Sequence, residues 1–237
     1  MTVVQVLDTL KKLGNPEVAD RKAEKFSITK STQTLGIYQK DLNNLAKKIG
    51  KDSTLGRALF ETEIYEARIL CSKIYRPKDL TEELMEDWVQ AFDNWEICDS
   101  FSMKFFTSSP FVDQKIAEWT QREETFVKRA GFVMIAAYGS VFKQAANSEI
   151  TAFLPLIKEA ADDERLYVKK AVNWALRSIG KRNIDLHEIA TACAEELLAR
   201  PEASAQWIAK DALREFQKPG LSLRGFPRPT YQRGKIN

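Results

Sequence analysis

Apolar residues recur at spacings of three and four along most of the chain, and this is the period of an amphipathic α-helix. Glycine, proline and asparagine interrupt the pattern at short intervals, as at Gly14-Asn15-Pro16 and Gly50. A further helical segment starts at Glu17. The spacing predicts helices over residues 3–13, 40–49, 57–74, 82–99, 112–120, 123–141, 150–160, 164–179, 186–198 and 202–216. Residues 100–110, rich in serine and phenylalanine, are predicted to be the one long irregular passage.

Strands find almost no support in this pattern, because runs of alternating apolar and polar residues between turn dipeptides are absent. The sequence therefore predicts an all-α protein. A helix, a turn and a second helix together take roughly 35 to 45 residues, which is the period of two-helix repeats. Stacked antiparallel helical pairs are the predicted architecture, with an irregular helical bundle as the alternative. We expect one helical domain over residues 1–217 and a basic tail over residues 218–237.

The most unusual stripe lies in residues 84–99, which read LMEDWVQAFDNWEICD. Its positions at helical spacing are Leu84, Trp88, Ala91, Phe92, Trp95 and finally Asp99. A carboxylate therefore ends a face that is otherwise aromatic and aliphatic, where an unpaired charge is costly. Either a cationic side chain of the protein pairs with Asp99, or a cationic ligand binds beside it.

Composition places the chain among globular proteins. It has 237 residues, of which 44% are hydrophobic and 29% charged, and its mean hydropathy is −0.36. The three cysteines lack metal-ligand spacing and indicate reduced thiols, so a cytoplasmic location is expected. No stretch approaches the roughly 20 apolar residues that a membrane span needs, and the first residues do not resemble a secretory leader.

The distribution of charge is more informative than the net charge of +3. From Lys218 to the end, the chain contains basic residues and no acid. Such a tail can bind a polyanion, or it can be a disordered segment that keeps the protein in solution, and composition alone leaves both open.

Common catalytic motifs are absent. No glycine-rich phosphate loop, GxSxG or HExxH occurs, and His187 is the only histidine. We interpret His187 as a structural residue at the start of a helix. The acidic residues are sequence neighbours at exposed helix starts, so neither a metal site nor a cofactor is expected.

Aromatic residues with basic neighbours remain. Trp174 lies in a helix rich in lysine and arginine, and Arg129 stands at the edge of an apolar stripe. Taken singly, each tryptophan is best explained as core and each basic residue as part of a solvated face. Taken together, they are typical of a nucleic-acid-binding groove. The candidates for phosphate contacts are Lys128, Lys169, Lys170, Arg177 and Lys181.

Five segments, in order and at suitable spacing over residues 30–217, carry a resemblance to a known family. They read LGIYQKDLNNLAKKI, ETEIYEARILCSKI, NWEICD, ETFVKRAGFVMI and YVKKAVNWALRSIGK. The sequence resembles the DNA alkylation repair enzymes of the AlkD type, which are monofunctional DNA glycosylases. The resemblance implies a solenoid of HEAT-like repeats that acts as a monomer on double-stranded DNA containing alkylated purines.

The resemblance also implies a site. Asp99 matches the catalytic aspartate of the family, Trp95 and Trp174 match its two tryptophans, and Arg129 matches its active-site arginine. The implied substrates are cationic lesions such as N7-methylguanine and N3-methyladenine, which agrees with an acid held beside an indole. The alternative from a different class is a non-catalytic helical-repeat module that binds nucleic acid or a protein partner.

Overall fold

The computed structural model describes residues 1–26 and 34–228, and all regular elements within them are helical. No β-strand occurs in these two ranges, which confirms the predicted all-α class. None of their helices is both long and apolar enough to cross a lipid bilayer.

The chain divides into two compact units, residues 1–134 and residues 135–237. The helices of the first unit are α1 (Val3–Leu13), α2 (Pro16–Phe26), α3 (Gln39–Ile49), α4 (Ser53–Phe60), α5 (Tyr65–Ile74), α6 (Glu82–Gln90), α7 (Trp95–Ser102), α8 (Val112–Trp119) and the first part of α9 (Thr125–Val141). The helices that follow are α10 (Asn147–Thr151), α11 (Leu154–Glu159), α12 (Leu166–Gly180), α13 (Ile184–Leu198) and α14 (Ala203–Phe216). Short 3₁₀ helices occupy Pro77–Asp79, Phe106–Ser108 and Ala160–Asp162.

Side-chain caps fix where several helices begin. Thr2 accepts a hydrogen bond from the amide of Gln5 and forms a complete capping box with it. Asp52, Thr81 and Asn94 accept in the same way from the amide three residues later. Each cap satisfies one of the four amides that the first turn of a helix leaves without a partner.

The predicted helix over residues 57–74 is wrong, because the chain breaks into α4 and α5. Glu63 lies between them with a φ of 56°, a left-handed conformation that a continuous right-handed helix does not permit. The predicted helix over residues 150–160 divides likewise, into α10 and α11.

The stripe of residues 84–99 is also two helices, α6 and α7. The break falls before Asn94, whose side chain caps α7 through the amide of Ile97. Asp99 therefore does not continue the face that Leu84 and Trp88 form, and only Trp95 and Asp99 remain one turn apart on the same helix.

An aromatic core fills the first unit. The Trp88 ring lies 5.0 Å from that of Phe60 and 5.6 Å from that of Phe101, measured between ring centroids. Phe105 and Phe106 join the same cluster, and both are buried. Residues 100–110 are consequently not the irregular passage expected: they contain the end of α7, a 3₁₀ helix and three core phenylalanines.

Helix α5 is the central helix of the first unit. It packs against α3, α4 and α7, and of its ten residues only Lys73 is not buried. Glu66 is fully buried, and its carboxylate accepts hydrogen bonds from the backbone amides of Leu35, Gly36 and Ile37 and from the Thr34 hydroxyl. One buried acid thus fixes the chain that leads into α3.

In the second unit, α12 packs against α11, α13 and α14. Close packing dictates the residue at the end of α12, where a Cβ on Gly180 would lie 2.4 Å from Cζ of Phe216. Arg182 follows and is almost wholly buried. Its guanidinium donates to the carbonyls of Gly139, Phe142, Lys143 and Ala145, just after the last turns of α9.

The described part of the basic tail, residues 218–228, lies against the second unit. The Arg224 amide donates to the Lys181 carbonyl at 2.9 Å, and the Phe226 amide donates to the Arg182 carbonyl at 3.3 Å. Arg233 and Lys235, which complete the basic tail in the sequence, lie outside the described residues. The division into one repeat domain and a tail stays a prediction.

Candidate functional site

Asp99 occupies the middle of α7, one helical turn after Trp95. Asn94 sets the start of this helix and is itself fully buried, so the position of Asp99 is tied to the core. The Asp99 side chain is 14% exposed, whereas Trp95 is half-buried. A mostly buried carboxylate therefore lies one turn from a partly accessible indole.

Arg129 of α9 is the cation that pairs with Asp99. Its Nε donates to Oδ1 at 2.9 Å and its Nη2 donates to Oδ2 at 2.8 Å, which is a two-pronged ion pair. The Arg129 side chain is only 7% exposed. The sequence left open whether Asp99 pairs with a cationic side chain or with a cationic ligand, and the structure shows that a side chain of the protein pairs with it.

Burial raises the pKa of Asp99 above the usual range of an aspartate. The hydrogen bonds and positive charge of Arg129 oppose this shift, and the charge of Glu96 adds to it. Next to Asp99, the Cys98 thiol is buried and its Sγ lies 3.4 Å from the Phe126 carbonyl oxygen, so burial raises its pKa and the thiol stays protonated.

A second acid of α7, Glu96, is held by side chains from two other helices. Gln39 of α3 donates to it at 2.8 Å, and the Tyr65 hydroxyl of α5 donates a short hydrogen bond. Burial, followed by the charge of Glu96, raises the pKa of Tyr65, so the phenol remains a donor. Sequence reasoning missed these residues, because a glutamine and a tyrosine on separate helices give no local signal.

A lysine also lies close to this group. The Lys22 ammonium donates to the Ile37 carbonyl at 2.6 Å and lies 5.5 Å from the centroid of the Tyr65 ring. Lys73 lies further along α5 than Tyr65, and burial lowers the pKa of its ammonium group. The surroundings of α7 thus combine carboxylates, cations and aromatic rings.

Trp174 lies on α12 in the second unit, and its side chain is half-buried. It is not part of the aromatic core of the first unit. The role that the family resemblance assigns to Trp174 stays a prediction.

The five basic candidates differ in their neighbours. Arg177 pairs with Asp211 and Glu215 of α14, and Lys181 pairs with Glu215 at 3.0 Å. The Lys169 ammonium lies 5.3 Å from the centroid of the Trp207 ring. Lys170 is exposed and Lys128 is half-buried. Carboxylates of the protein already offset the charges of Arg177 and Lys181, so these two are weaker candidates for phosphate contacts.

His187 makes structural contacts on α13. Its Nδ1 lies 3.0 Å from the Gly180 carbonyl oxygen, and its ring meets the Phe216 ring edge to face. Within residues 1–26 and 34–228, no group of three histidine, cysteine or acidic side chains is arranged to hold a metal ion.

The helical fold is similar to that of a protein whose structure has been solved. A solved structure with a TM-score of 0.74 and 19% sequence identity covers 95% of this chain and 99% of its own. It is described as one of a new family of proteins related to the HEAT-like repeat DNA glycosylases, with affinity for branched DNA structures. The predicted HEAT-like repeat fold is therefore confirmed.

The family follows from the sequence match. The family model for DNA alkylation repair enzymes matches residues 6–216, and the chain belongs to that family. The resemblance inferred from the five sequence segments is thereby confirmed. A search of curated protein sequences returns no match.

Proposed function

We propose that the protein is a DNA glycosylase that hydrolyses the N-glycosidic bond of cationic alkylated purines, such as N7-methylguanine and N3-methyladenine, in duplex DNA. The observation that carries the proposal is the Asp99 carboxylate, held at two points by Arg129 and placed one turn from the partly accessible Trp95. Membership of the DNA alkylation repair enzyme family supports it.

The chemistry needs little more than one well-placed carboxylate. When the glycosidic bond breaks, its electron pair goes to the base, which turns from a cation into a neutral leaving group, and positive charge develops on the sugar. Asp99 stabilises that charge. Water then adds to the sugar carbon and its proton passes to Asp99, whose raised pKa makes it a better proton acceptor than an ordinary aspartate.

The remaining candidates bind and orient the DNA. Trp95 forms an aromatic wall for the lesion, and Arg129 orients Asp99 while contributing positive charge toward a backbone phosphate. The family resemblance gives Trp174 the role of a second aromatic residue. The candidates for contacts with duplex phosphates are Lys128, Lys169, Lys170, Arg177 and Lys181, and the contributions of Arg177 and Lys181 are reduced because carboxylates of the protein offset their charges. One copy of the chain acts on the duplex.

The test is release of 7-methylguanine from alkylated duplex DNA. Asp99→Asn keeps the shape of the side chain and removes its charge, so we expect release to fall by a factor of about 100 or more. Asp113→Asn, which changes an exposed acid of the first unit, is the matched control and keeps wild-type activity. If the wild-type protein releases no methylated base, the proposal is wrong.

A second candidate function is DNA binding without base removal. It is favoured by the two hydrogen bonds that already occupy both oxygens of Asp99, and by the described affinity of the structural relative for branched DNA. In that case a four-way junction binds more tightly than a linear duplex, and Asp99→Asn binds as well as the wild type. If the affinity for DNA does not depend on salt concentration, the protein does not contact DNA phosphates, and a protein is then the expected partner.

A further inference from the structure

The described tail residues 218–228 are held against the second unit by specific hydrogen bonds. Besides the two backbone contacts with Lys181 and Arg182, the Asn183 side-chain amide donates to the Phe226 carbonyl at 2.7 Å. Asn183 also caps α13 through the amide of Leu186. A residue that fixes a helix start therefore fixes the tail as well, and the basic side chains of this segment have defined places.

Three cations surround the ring of Phe226. The distances to the ring centroid are 5.6 Å from the Lys143 ammonium, 5.8 Å from the Arg182 guanidinium and 5.2 Å from the Arg228 guanidinium. Each lies within the range of a cation–π interaction. The ring attracts each cation, but the cations repel one another across it.

The protein compensates only one of these charges internally. Arg182 is buried, and four backbone carbonyls accept its hydrogen bonds. Lys143 and Arg228 are exposed, and so is Arg224, whose positive charge lowers the pKa of Arg182 after the larger effect of burial. Two exposed cations, Lys143 and Arg228, thus lie beside the aromatic ring, and a third, Arg224, precedes it in the tail.

Carboxylates do not neutralise this group. Among residues 135–228, no acidic side chain lies within ion-pair distance of Lys143, Arg224 or Arg228. Two nearby acids have other partners: Glu149 accepts from the Ala146 amide, and Asp185 accepts from the Asn147 side chain. This differs from Arg177 and Lys181 on the same unit, which Asp211 and Glu215 compensate.

The surface beside the ring is concave. A depression of about 510 Å³ is lined by Asn147, Asn183, Asp185, Phe226 and Pro227, among others. Side-chain amides and a ring edge are suited to the sugar and phosphate groups of a nucleic-acid backbone. The carboxylate of Asp185 accepts a hydrogen bond from Asn147, so the phosphates are expected at the exposed cations beside the depression and not at this acid.

We propose that Lys143 and Arg228, which lie beside the Phe226 ring, and Arg224, which precedes it in the docked tail, form a DNA-binding surface that takes up backbone phosphates. DNA is the polyanion that the DNA alkylation repair family handles. The surface contacts undamaged backbone, so it does not depend on removal of a base by Asp99. Composition alone did not decide whether the basic tail binds a polyanion. In this proposal, the tail contacts DNA and increases the affinity of the whole protein for it.

The test is the binding of the full chain to a short undamaged DNA duplex, measured by fluorescence anisotropy over a series of salt concentrations. The triple variant Lys143→Gln, Arg224→Gln and Arg228→Gln is compared with Lys11→Gln, Lys12→Gln and Lys210→Gln. The control removes the same number of charges from exposed side chains elsewhere. Thermal unfolding checks that both variants are folded.

We expect the slope of log affinity against log salt concentration to fall in magnitude by about one for each lost phosphate contact, so by about three in the triple variant. The control keeps the wild-type slope to within about one. Phe226→Ala, which keeps all three charges but removes the ring beside Lys143 and Arg228, weakens binding with a smaller change in slope.

Equal slopes and affinities for the triple variant and the control overturn this inference, as does a wild-type protein that does not bind the duplex. The proposed glycosylase activity is judged separately from release of 7-methylguanine. A protein that shows the slope difference but releases no base refutes the proposed activity and leaves the phosphate-binding surface intact.

Discussion

The guanidinium of Arg129 holds both oxygens of Asp99 with two hydrogen bonds of 2.9 and 2.8 Å. Both side chains are largely withdrawn from solvent, so each compensates the buried charge of the other. Removing one partner leaves the other charge buried without this compensation, so the losses from the two single substitutions are not expected to add.

A double-mutant cycle measures this dependence. We expect Asp99→Ala and Arg129→Ala each to lower the free energy of unfolding by about 3 kcal/mol. The double variant should lose clearly less than the sum, by about 1 to 3 kcal/mol. Urea unfolding of the four proteins provides the values, and strict additivity contradicts the coupling.

The raised pKa of Asp99 predicts the pH dependence of both activity and stability. If only the ionised carboxylate supports base release, activity falls on acidification at a pH above the usual aspartate range. The contribution of Asp99 to the free energy of unfolding changes with pH in the opposite direction. Because the folded state binds this proton more tightly than the unfolded state, the contribution of Asp99 is present at low pH and is lost as the pH rises through its folded pKa.

The Arg129→Gln variant checks the cause. Arg129 opposes the effect of burial on Asp99. Without the arginine, the pKa of Asp99 and the acidic limb of the activity profile should both move to higher pH. An NMR titration of the Asp99 carboxyl measures this directly, and a shift to lower pH is inconsistent with the electrostatic explanation.

The buried carboxylate of Glu66 is expected to be essential for the order of residues 34–37. Glu66→Gln replaces one acceptor oxygen by an amide group, which faces backbone donors instead of accepting from them. We expect a loss of about 2 to 3 kcal/mol in the free energy of unfolding. Glu61→Gln, at an exposed position, changes it by less than about 0.5 kcal/mol.

Gly36 and Gly50 offer a matched comparison of steric contact at positive φ. Their φ angles are 74° and 77°, but a Cβ on Gly36 would lie 2.1 Å from the Asn15 carbonyl oxygen, whereas a Cβ on Gly50 meets nothing within 4 Å. Gly50→Ala should cost about 1 to 2 kcal/mol through backbone strain alone, because its φ of 77° and ψ of −160° are rarely adopted by residues other than glycine. Gly36→Ala should cost about 3 kcal/mol or more. Equal losses in thermal unfolding would argue against the close contact.

Arg182 is expected to stabilise the second unit through the carbonyls at the end of α9. Arg182→Met keeps much of the volume and removes all the donors, which leaves buried carbonyls without partners, and we expect a loss of about 3 to 5 kcal/mol. Arg214→Met, at an exposed position of α14, is the control and costs less than about 0.5 kcal/mol. Calorimetry or circular dichroism measures both.

The helical class was predictable because the apolar period is repeated in nearly every segment, and Gly14 and Gly50 end their helices as expected. The breaks before Tyr65 and Trp95 were harder to predict. Both interrupt apolar runs that read as continuous. Before Trp95, the Asn94 cap competes with an otherwise favourable helical pattern, and before Tyr65, Glu63 adopts a left-handed conformation with no side-chain cap at Ile64. Residues 100–110 were misread because serine and phenylalanine in alternation resemble a loop until the rings meet in a core.

Asp99 stood out in the sequence as a carboxylate on an apolar face, and Arg129 as a cation at the edge of another. Their pairing could not be read from spacing, because thirty positions separate them and several other cations were equally available. The same limit applies to Glu66, which reads as one polar residue within an apolar helix. The partners of Glu66 are mainly backbone amides, and because nearly every residue has one, the sequence does not show which residues will bind this carboxylate.

The cap that Arg182 places on the end of α9 has a consequence for synthesis. The carbonyls of Gly139 and Ala145 leave the ribosome first, and their donor follows 43 and 37 residues later. Until Arg182 has been made, just after α12, these carbonyls lack their native side-chain donor. The end of α9 is therefore completed only after α10, α11 and α12 have been synthesised, and α13 and α14 then follow to complete the packing of the second unit.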